Sequence, residues 1–228
     1  MCASAAPGPT LLIDVDGTIV DSLPGIVESF AAGLRAVGRP LPDQAFLDTL
    51  PGPPMVDSLA QLGLSEQEVE TAMAAYMESQ HSGTWRRSQL FDGWPELLAQ
   101  WRDQGITLAT ATSKGEYFAR ATLDALGVLP FFDFLGTASD DGSRRTKIEV
   151  LRYTLSHLHI PVAPEQRSAG SLVMIGDRTH DFTAAAELGI PTIAVTWGYG
   201  TAEEYRQATA VVDSPAGLKS AVAEMLYI

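Results

Sequence analysis

Leu11, Leu12 and Ile13 form a short uninterrupted apolar run near the start of the chain. Four more follow: ITLATAT (106–112) after Gly105, FFDFLGTAS (131–139) after Pro130, SLVMIGD (171–177) after Gly170 and PTIAVTWG (191–198) after Gly189. Runs of this length bounded by turn residues predict buried strands. Between them, apolar positions recur at helical spacing: Leu97, Leu98 and Trp101; Phe118, Ala121, Leu123 and Leu126; Ile148, Leu151, Leu155 and Leu158. Strand and helix in alternation predict an α/β fold, a doubly wound, Rossmann-like parallel sheet with helices on both faces. Ligands in such sheets sit at the carboxyl ends of the strands. Three runs end there in polar side chains: Asp14 and Asp16, Thr112 and Ser113, and Asp177.

Residues 20–88 break this rhythm. They hold the helical patterns GIVESFAAGLRAVG and SEQEVETAMAAYMESQ, with LPGPPMVDSLAQLG as punctuation between them, and no convincing strand. A stretch of about seventy residues is far too long for an ordinary connection between strands. It predicts an inserted α-helical cap domain over 20–88, set above the carboxyl ends of a core domain made of residues 1–19 and 89–228. PGPPMVDS is the segment best suited to lie over the site, with Gly52 allowing close approach to a substrate.

Composition narrows the possible partners. The chain has 228 residues, 46% of them hydrophobic, which is enough for a full core. Lys plus Arg number 15 against 28 Asp plus Glu, a formal charge of −13. That balance disfavours a nucleic-acid polymer or an acidic membrane surface as partner. A small anion remains a suitable ligand where local cations or a metal reverse the field. The one cysteine, Cys2, forms no internal disulfide and no zinc cluster. The start, MCASAAPGPT, carries no basic segment followed by an apolar stretch, so a cytoplasmic protein with a short frayed N-terminus is expected. No sequence feature points to a particular oligomer.

The first strand ends on two carboxylates, and this calls for a physical reason. Side chains at i and i+2 of an extended chain share a face, so Asp14 and Asp16 repel each other and raise each other's pKa. A divalent cation offsets that repulsion, and magnesium takes oxygen ligands of this kind. Asp177, with Asp181 four residues on, ends a later strand and converges on the same crevice. An ionised Asp14 beside a metal can act as a nucleophile, as carboxylates do in aspartyl-phosphate chemistry. A phosphoryl group there needs donors. The only lysines are Lys114, Lys147 and Lys219. Lys147 precedes a predicted helix, and Thr112 ends a strand with its hydroxyl.

DVDGT, ATS around Thr112, the lysine of RRTKIEV and GDRTHD resemble, in order and topology, the four motifs of the haloacid dehalogenase superfamily, over nearly the whole chain. The resemblance implies that Asp14 is the nucleophile and that Asp16 first protonates the leaving oxygen and then activates water. It implies that Thr112, Ser113 and Lys147 hold the phosphoryl group. Magnesium would be bound by Asp14, the Asp16 backbone carbonyl and Asp177, with Asp181 in support. LFDGWPELLAQWRDQG, LATATSK, DGSRRTK and VTWGYGTAEE look like the phosphoglycolate-phosphatase branch and its 5′-nucleotidase-like relatives. Ile148 stands where that branch often has proline, and Ser113 where it often has Asn.

The expected activity is hydrolysis of a small phosphorylated metabolite, with phosphoglycolate and nucleoside monophosphates first among substrates. A phosphotyrosine protein substrate, a phosphoryl transferase or phosphomutase, and a catalytically silent binding module are the alternatives. Phosphonate hydrolysis through a cap lysine is excluded, since residues 20–88 contain none. A phosphorelay receiver would place its accepting Asp on a later strand and lack the insert. Arg86 and Arg87 fall near the return from the insert, where they would either meet an anionic substrate tail or form a solvated junction. His180 and the segment Trp197–Gly200 follow strand ends and are further candidates to line the crevice, the latter equally suited to an aromatic packing corner.

Overall fold

A computed structural model describes residues 8–228. Cys2 and the expected frayed start lie outside the described residues. In chain order, β1 (Thr10–Ile13) and the two-residue β2 (Val20–Asp21) lead into four helices, α1 (Leu23–Ala36), α2 (Gln44–Leu47), α3 (Met55–Gln61) and α4 (Glu66–Ser82). The short β3 (Gln89–Leu90) then precedes α5 (Trp94–Asp103), β4 (Thr107–Gly115), α6 (Glu116–Ala125), β5 (Phe134–Ala138) and α7 (Lys147–His157). The chain ends with β6 (Leu172–Gly176), α8 (Thr179–Glu187), β7 (Thr192–Val195), α9 (Ala202–Tyr205), β8 (Ala210–Val212) and α10 (Pro215–Leu226).

Six strands form one sheet in the order β5-β4-β1-β6-β7-β8, with every pair parallel. β1 is central and fully buried, with Leu12 opposite Ala109 of β4 and Met174 of β6. The two-residue period of the strand divides its side chains between two cores. Leu11 and Ile13 pack with Trp94, Leu98 and Trp101 of α5 and Leu218 and Val222 of α10. Leu12 packs on the other face with Val150, Leu151 and Leu155 of α7 and Ala184 and Ala185 of α8. The order reverses beside β1, which puts the ligand crevice at its carboxyl end.

The five expected strands are present and the sheet gains a sixth. β8 was not anticipated because three residues with one exposed in the middle carry too little alternation to register. β2, inside the stretch expected to lack strands, pairs antiparallel with β3, Val20 opposite Leu90 and Asp21 opposite Gln89. Two residue pairs leave no periodic signal. α3 replaces what reads as punctuation. It starts directly after Pro54, since proline lacks only an N–H that the first turn does not need, and it buries Ser58 and Leu59. On α6 the buried set is Phe118, Ala119, Thr122 and Leu123, with Ala121 half-buried.

Between β2 and β3 the helices have an apolar cluster of their own, with Phe30 and Leu34 of α1, Leu47 of α2, Leu59 of α3 and Ala72 of α4. Ser65 and Glu68 cap the start of α4 reciprocally: the Ser65 hydroxyl accepts from Glu68 N–H and the Glu68 carboxylate accepts from Ser65 N–H. The same device on Thr146 and Glu149 starts α7 and places Lys147 in its first turn.

Candidate active site

Asp14 follows β1 and continues its ladder, its N–H donating to the Ile175 carbonyl at 2.9 Å. The chain then turns through Gly17, whose φ of +83° favours glycine, and a Cβ there would lie 2.2 Å from an Asp177 oxygen. Asp177 follows β6 and is fully buried. It accepts from the Thr18 hydroxyl at 3.2 Å and from Tyr199 N–H at 2.8 Å. Asp181, in the first turn of α8, accepts from the Asp177 and Arg178 amides at 3.2 and 3.1 Å. Asp14, Asp177 and Asp181 each present an oxygen within 4.8 Å of the others, and all three are buried.

Lys147 is the cation set among them. Its Nζ lies 2.9 Å from Asp14 and 2.7 Å from Asp181, and it donates to the Ala111 carbonyl at 2.7 Å. Burial alone would lower the Lys147 pKa, but the Asp14 and Asp181 charges carry it above its ordinary value. Burial pushes the Asp14 carboxyl up to about 7 against the pull of Lys147, with Asp181 and Asp16 adding to the rise. Asp177 is raised well above the usual carboxylate range, first by burial and then by Asp181 and Asp14. Three packed carboxylates against one lysine leave uncompensated negative charge, and hard oxygen donors of this kind suit a divalent cation such as magnesium. A Cβ on Gly198 would lie 2.5 Å from Asp177 and 2.3 Å from the Gly17 carbonyl, so the cluster is closed in without spare room.

Asp16 stands apart from that cluster. Lys114 Nζ donates to both of its oxygens, at 3.0 and 3.2 Å. Thr112 is buried, and its hydroxyl oxygen accepts from Lys114 N–H at 3.2 Å. Asp14, Asp16, Thr112, Ser113, Lys147, Asp181 and Gly52 all line one pocket, whereas Asp177, fully buried, does not border it. Gly52, at φ +108°, sits against the Arg178 side chain. Arg178 donates to the Pro51 carbonyl at 2.6 Å and to Glu204 at 3.0 Å, tying the loop before α3 to the core. His180 lines the exposed rim.

Other candidates fall elsewhere. Arg87 pairs with Glu28 at the surface and Arg86 lies over the Trp85 ring, so both belong to a solvated junction and neither borders the pocket. The Trp197–Gly200 segment is a packing corner. Trp197 Nε1 donates to the Thr18 carbonyl, while Tyr199 Oη donates to Asp21 and accepts from Ser22 and Leu23 N–H. Sequence reasoning missed Thr18, Lys114, Arg178, Tyr76 and Gln80. Lys114 carried a usable signal, since it follows Thr112 and Ser113 at the carboxyl end of β4, where the pairing with β5 shifts register between Thr112 and Gly115. Tyr76 and Gln80 carried none, because their position depends on how α4 lies over the sheet.

A doubly wound sheet with this carboxylate–lysine cluster at its switch point has the parts that phosphoryl transfer to a carboxylate requires. The chain belongs to the haloacid dehalogenase-like hydrolase family, whose profile matches residues 11–195. It is 43% identical over 203 residues to the tyrosine-protein kinase PtkA of Mycobacterium tuberculosis, covering 88% of this chain and 67% of that protein. It is 34% identical over 199 residues to a 5′-nucleotidase of Pseudomonas aeruginosa, covering 87% of each. The crystal structure of a predicted phosphatase from Clostridium acetobutylicum superposes with a TM-score of 0.86 at 29% identity, over 96% of this chain and all of that one. Among the described residues no helix is long and apolar enough to cross a membrane.

Proposed function

We propose that the chain is a magnesium-dependent phosphatase acting on a small phosphomonoester, of the phosphoglycolate or nucleoside-monophosphate kind, through an aspartyl-phosphate at Asp14. The observation that supports this most is the pairing of two carboxylates with different partners. Asp14 lies in a charge cluster with Lys147, Asp177 and Asp181, whereas Asp16 is bound only by Lys114. One carboxylate is thus set to attack and the other to move a proton.

An Asp14 oxygen attacks phosphorus, the ester P–O bond breaks, and the proton on Asp16 passes to the departing alcohol. Asp16, now ionised, takes a proton from water as the water oxygen attacks the acyl phosphate, releasing inorganic phosphate and restoring Asp14. Thr112 and Lys147 are the donors for the phosphoryl oxygens. Asp14, Asp177 and the Asp16 carbonyl would hold magnesium, which supplies charge neutralisation at the phosphoryl group. Residues 20–88 serve as the cap, closing the crevice from above.

The test is phosphate release from an aryl phosphate and a metabolite panel, with and without magnesium, for the natural protein and Asp14→Asn. Loss of turnover in the variant and without the metal is expected. Absence of turnover by the natural protein would move the assignment to a silent binding module. The PtkA relative, named a tyrosine-protein kinase, supports a second reading, in which the phosphoryl group on Asp14 passes to or from a tyrosine hydroxyl. Transfer of label from the phosphorylated protein to a tyrosine acceptor tests it.

A further inference from the structure

The wall opposite the phosphoryl site comes from α1, the Pro51–Pro54 loop and the helices that follow it, and among its residues are Ile26, Leu50, Met55, Tyr76 and Gln80. None of these carries a cation. The arginines of residues 20–88 all face elsewhere: Arg39 pairs with Glu68, Arg87 with Glu28, Arg86 covers Trp85, and Arg35 is exposed. On the core side, Lys114, Lys147 and Arg178 border the pocket, and each is already paired with a protein carboxylate, Asp16, Asp14 and Asp181, or Glu204. A divalent metal and a phosphoryl dianion would cancel each other and leave this balance unchanged. A carboxylate on the leaving group would then be desolvated against apolar surface with no free cation, at a substantial cost.

The same wall offers uncharged recognition. Gln80 is buried and its amide is fixed by donating to Ser29 Oγ at 2.9 Å and Gly25 O at 3.4 Å, and among the described residues its amide oxygen has no protein donor. Tyr76 lies near enough for the Asp16 charge to act on its hydroxyl. From the core side α6 contributes Phe118, itself packed by His81 and Tyr117 at ring-centroid distances of 5.0 Å. Flat aromatic and apolar surfaces with a fixed amide suit a ring that carries hydrogen-bonding groups.

We propose that this subsite selects phosphate esters whose leaving alcohol is uncharged and ring-bearing, in preference to short carboxylated ones such as phosphoglycolate. The proposal rests on the phosphatase reading above and narrows its substrate class. The test has two parts, both with magnesium present. Binding of two non-hydrolysable phosphonates, benzylphosphonate and phosphonoacetate, is measured by calorimetry. Turnover is compared for phenyl phosphate, a nucleoside 5′-monophosphate and phosphoglycolate.

Benzylphosphonate should bind about tenfold tighter or better, and the ring esters should exceed phosphoglycolate in kcat/KM by a similar factor. The faster of the two ring esters tells an aryl alcohol from a nucleoside. Met55→Lys, which adds a cation to the wall, should move the ratio of phosphoglycolate to phenyl phosphate turnover about tenfold toward phosphoglycolate. Equal or better binding and turnover of the carboxylated compounds by the natural protein, with turnover lost in Asp14→Asn, overturns the subsite and leaves the phosphatase standing. Selective benzylphosphonate binding without turnover of any ester removes the phosphatase reading and keeps the subsite. Failure to bind either phosphonate, with no turnover, removes both.

Discussion

Lys114 Nζ lies 3.0 Å from one carboxylate oxygen of Asp16 and 3.2 Å from the other, so a single lysine fixes the plane of the carboxylate assigned to proton transfer. Both side chains are largely buried, which keeps the pair from being screened by solvent. A general acid misplaced by an ångström loses much of its effect. Lys114→Met is therefore expected to lower kcat by about 10- to 100-fold with a smaller change in KM. The double variant Lys114→Met with Asp16→Asn should be no slower than Asp16→Asn alone, because the lysine acts through that carboxylate. Steady-state kinetics of the three proteins check this, and additive losses would show that Lys114 works elsewhere.

Lys147 Nζ sits between Asp14 and Asp181, 2.9 and 2.7 Å from their oxygens. Replacing it by alanine leaves buried carboxylates with no protein cation among them, a change that costs about 3–5 kcal/mol where a buried pair is broken. Urea denaturation of the metal-free Lys147→Ala protein should show a loss of this order. Magnesium should recover part of it by supplying the missing charge, and should stabilise the variant more than the natural protein. Equal metal effects on both would contradict the shared role of the lysine and the ion.

The same cluster fixes a pH dependence. Asp14 is raised to about 7 from an ordinary 3.8, and Asp177 is raised as well, both through burial first. Between those values the folded metal-free protein binds more protons at Asp14 than the unfolded chain, so the contribution of this group to stability is full below pH 3.8 and is lost as pH rises to about 7. Lys147, raised above its ordinary value, keeps its contribution throughout this window. Melting curves in chelator should therefore give a higher Tm near pH 5 than near pH 8. Added magnesium binds the ionised carboxylates and should raise Tm most at the alkaline end. A chelated protein most stable near pH 8 would overturn the assignment of these groups as the strained ones.

How far the chain could be read without coordinates follows from which signals are local. Asp14, Asp16, Thr112 and Asp177 all end apolar runs, and a parallel sheet brings such ends to one crevice, so their convergence was legible from the pattern. Lys147 was legible as the residue before a predicted helix, and in the structure it is the first residue of α7. What the pattern did not carry is pairing between distant segments. That Lys147 lies between Asp14 and Asp181 depends on how α7 packs beside β4 and α8. That Gln80 and Tyr76 face the site depends on α4 crossing α1, where nothing in the four-residue spacing of either helix names a partner. The small strands β2, β3 and β8 were invisible for a simpler reason: two or three residues have no period.

Arg178 marks the place where the core holds the helical insert. It follows the buried Asp177 directly, and its guanidinium reaches the Pro51 carbonyl and Glu204 at once, while Gly52 packs against its side-chain carbons. Glu204 is itself fixed by accepting from the Thr179 and Thr201 amides. The loop over the crevice is thus fastened to the residue next to the carboxylate cluster. Arg178→Ala removes the fastening without touching a carboxylate. KM for all substrates should rise about tenfold, with kcat reduced less, because the loss falls on holding the bound ester rather than on the attack at phosphorus. Glu204→Gln keeps one hydrogen bond to Arg178 and should show the same pattern at smaller size. Hydrogen exchange should be faster at the Gly52 and Met55 amides in both variants, the prolines at 51, 53 and 54 having no amide hydrogen, and unchanged exchange there with a pure loss of kcat would place Arg178 in the chemistry instead of the fastening.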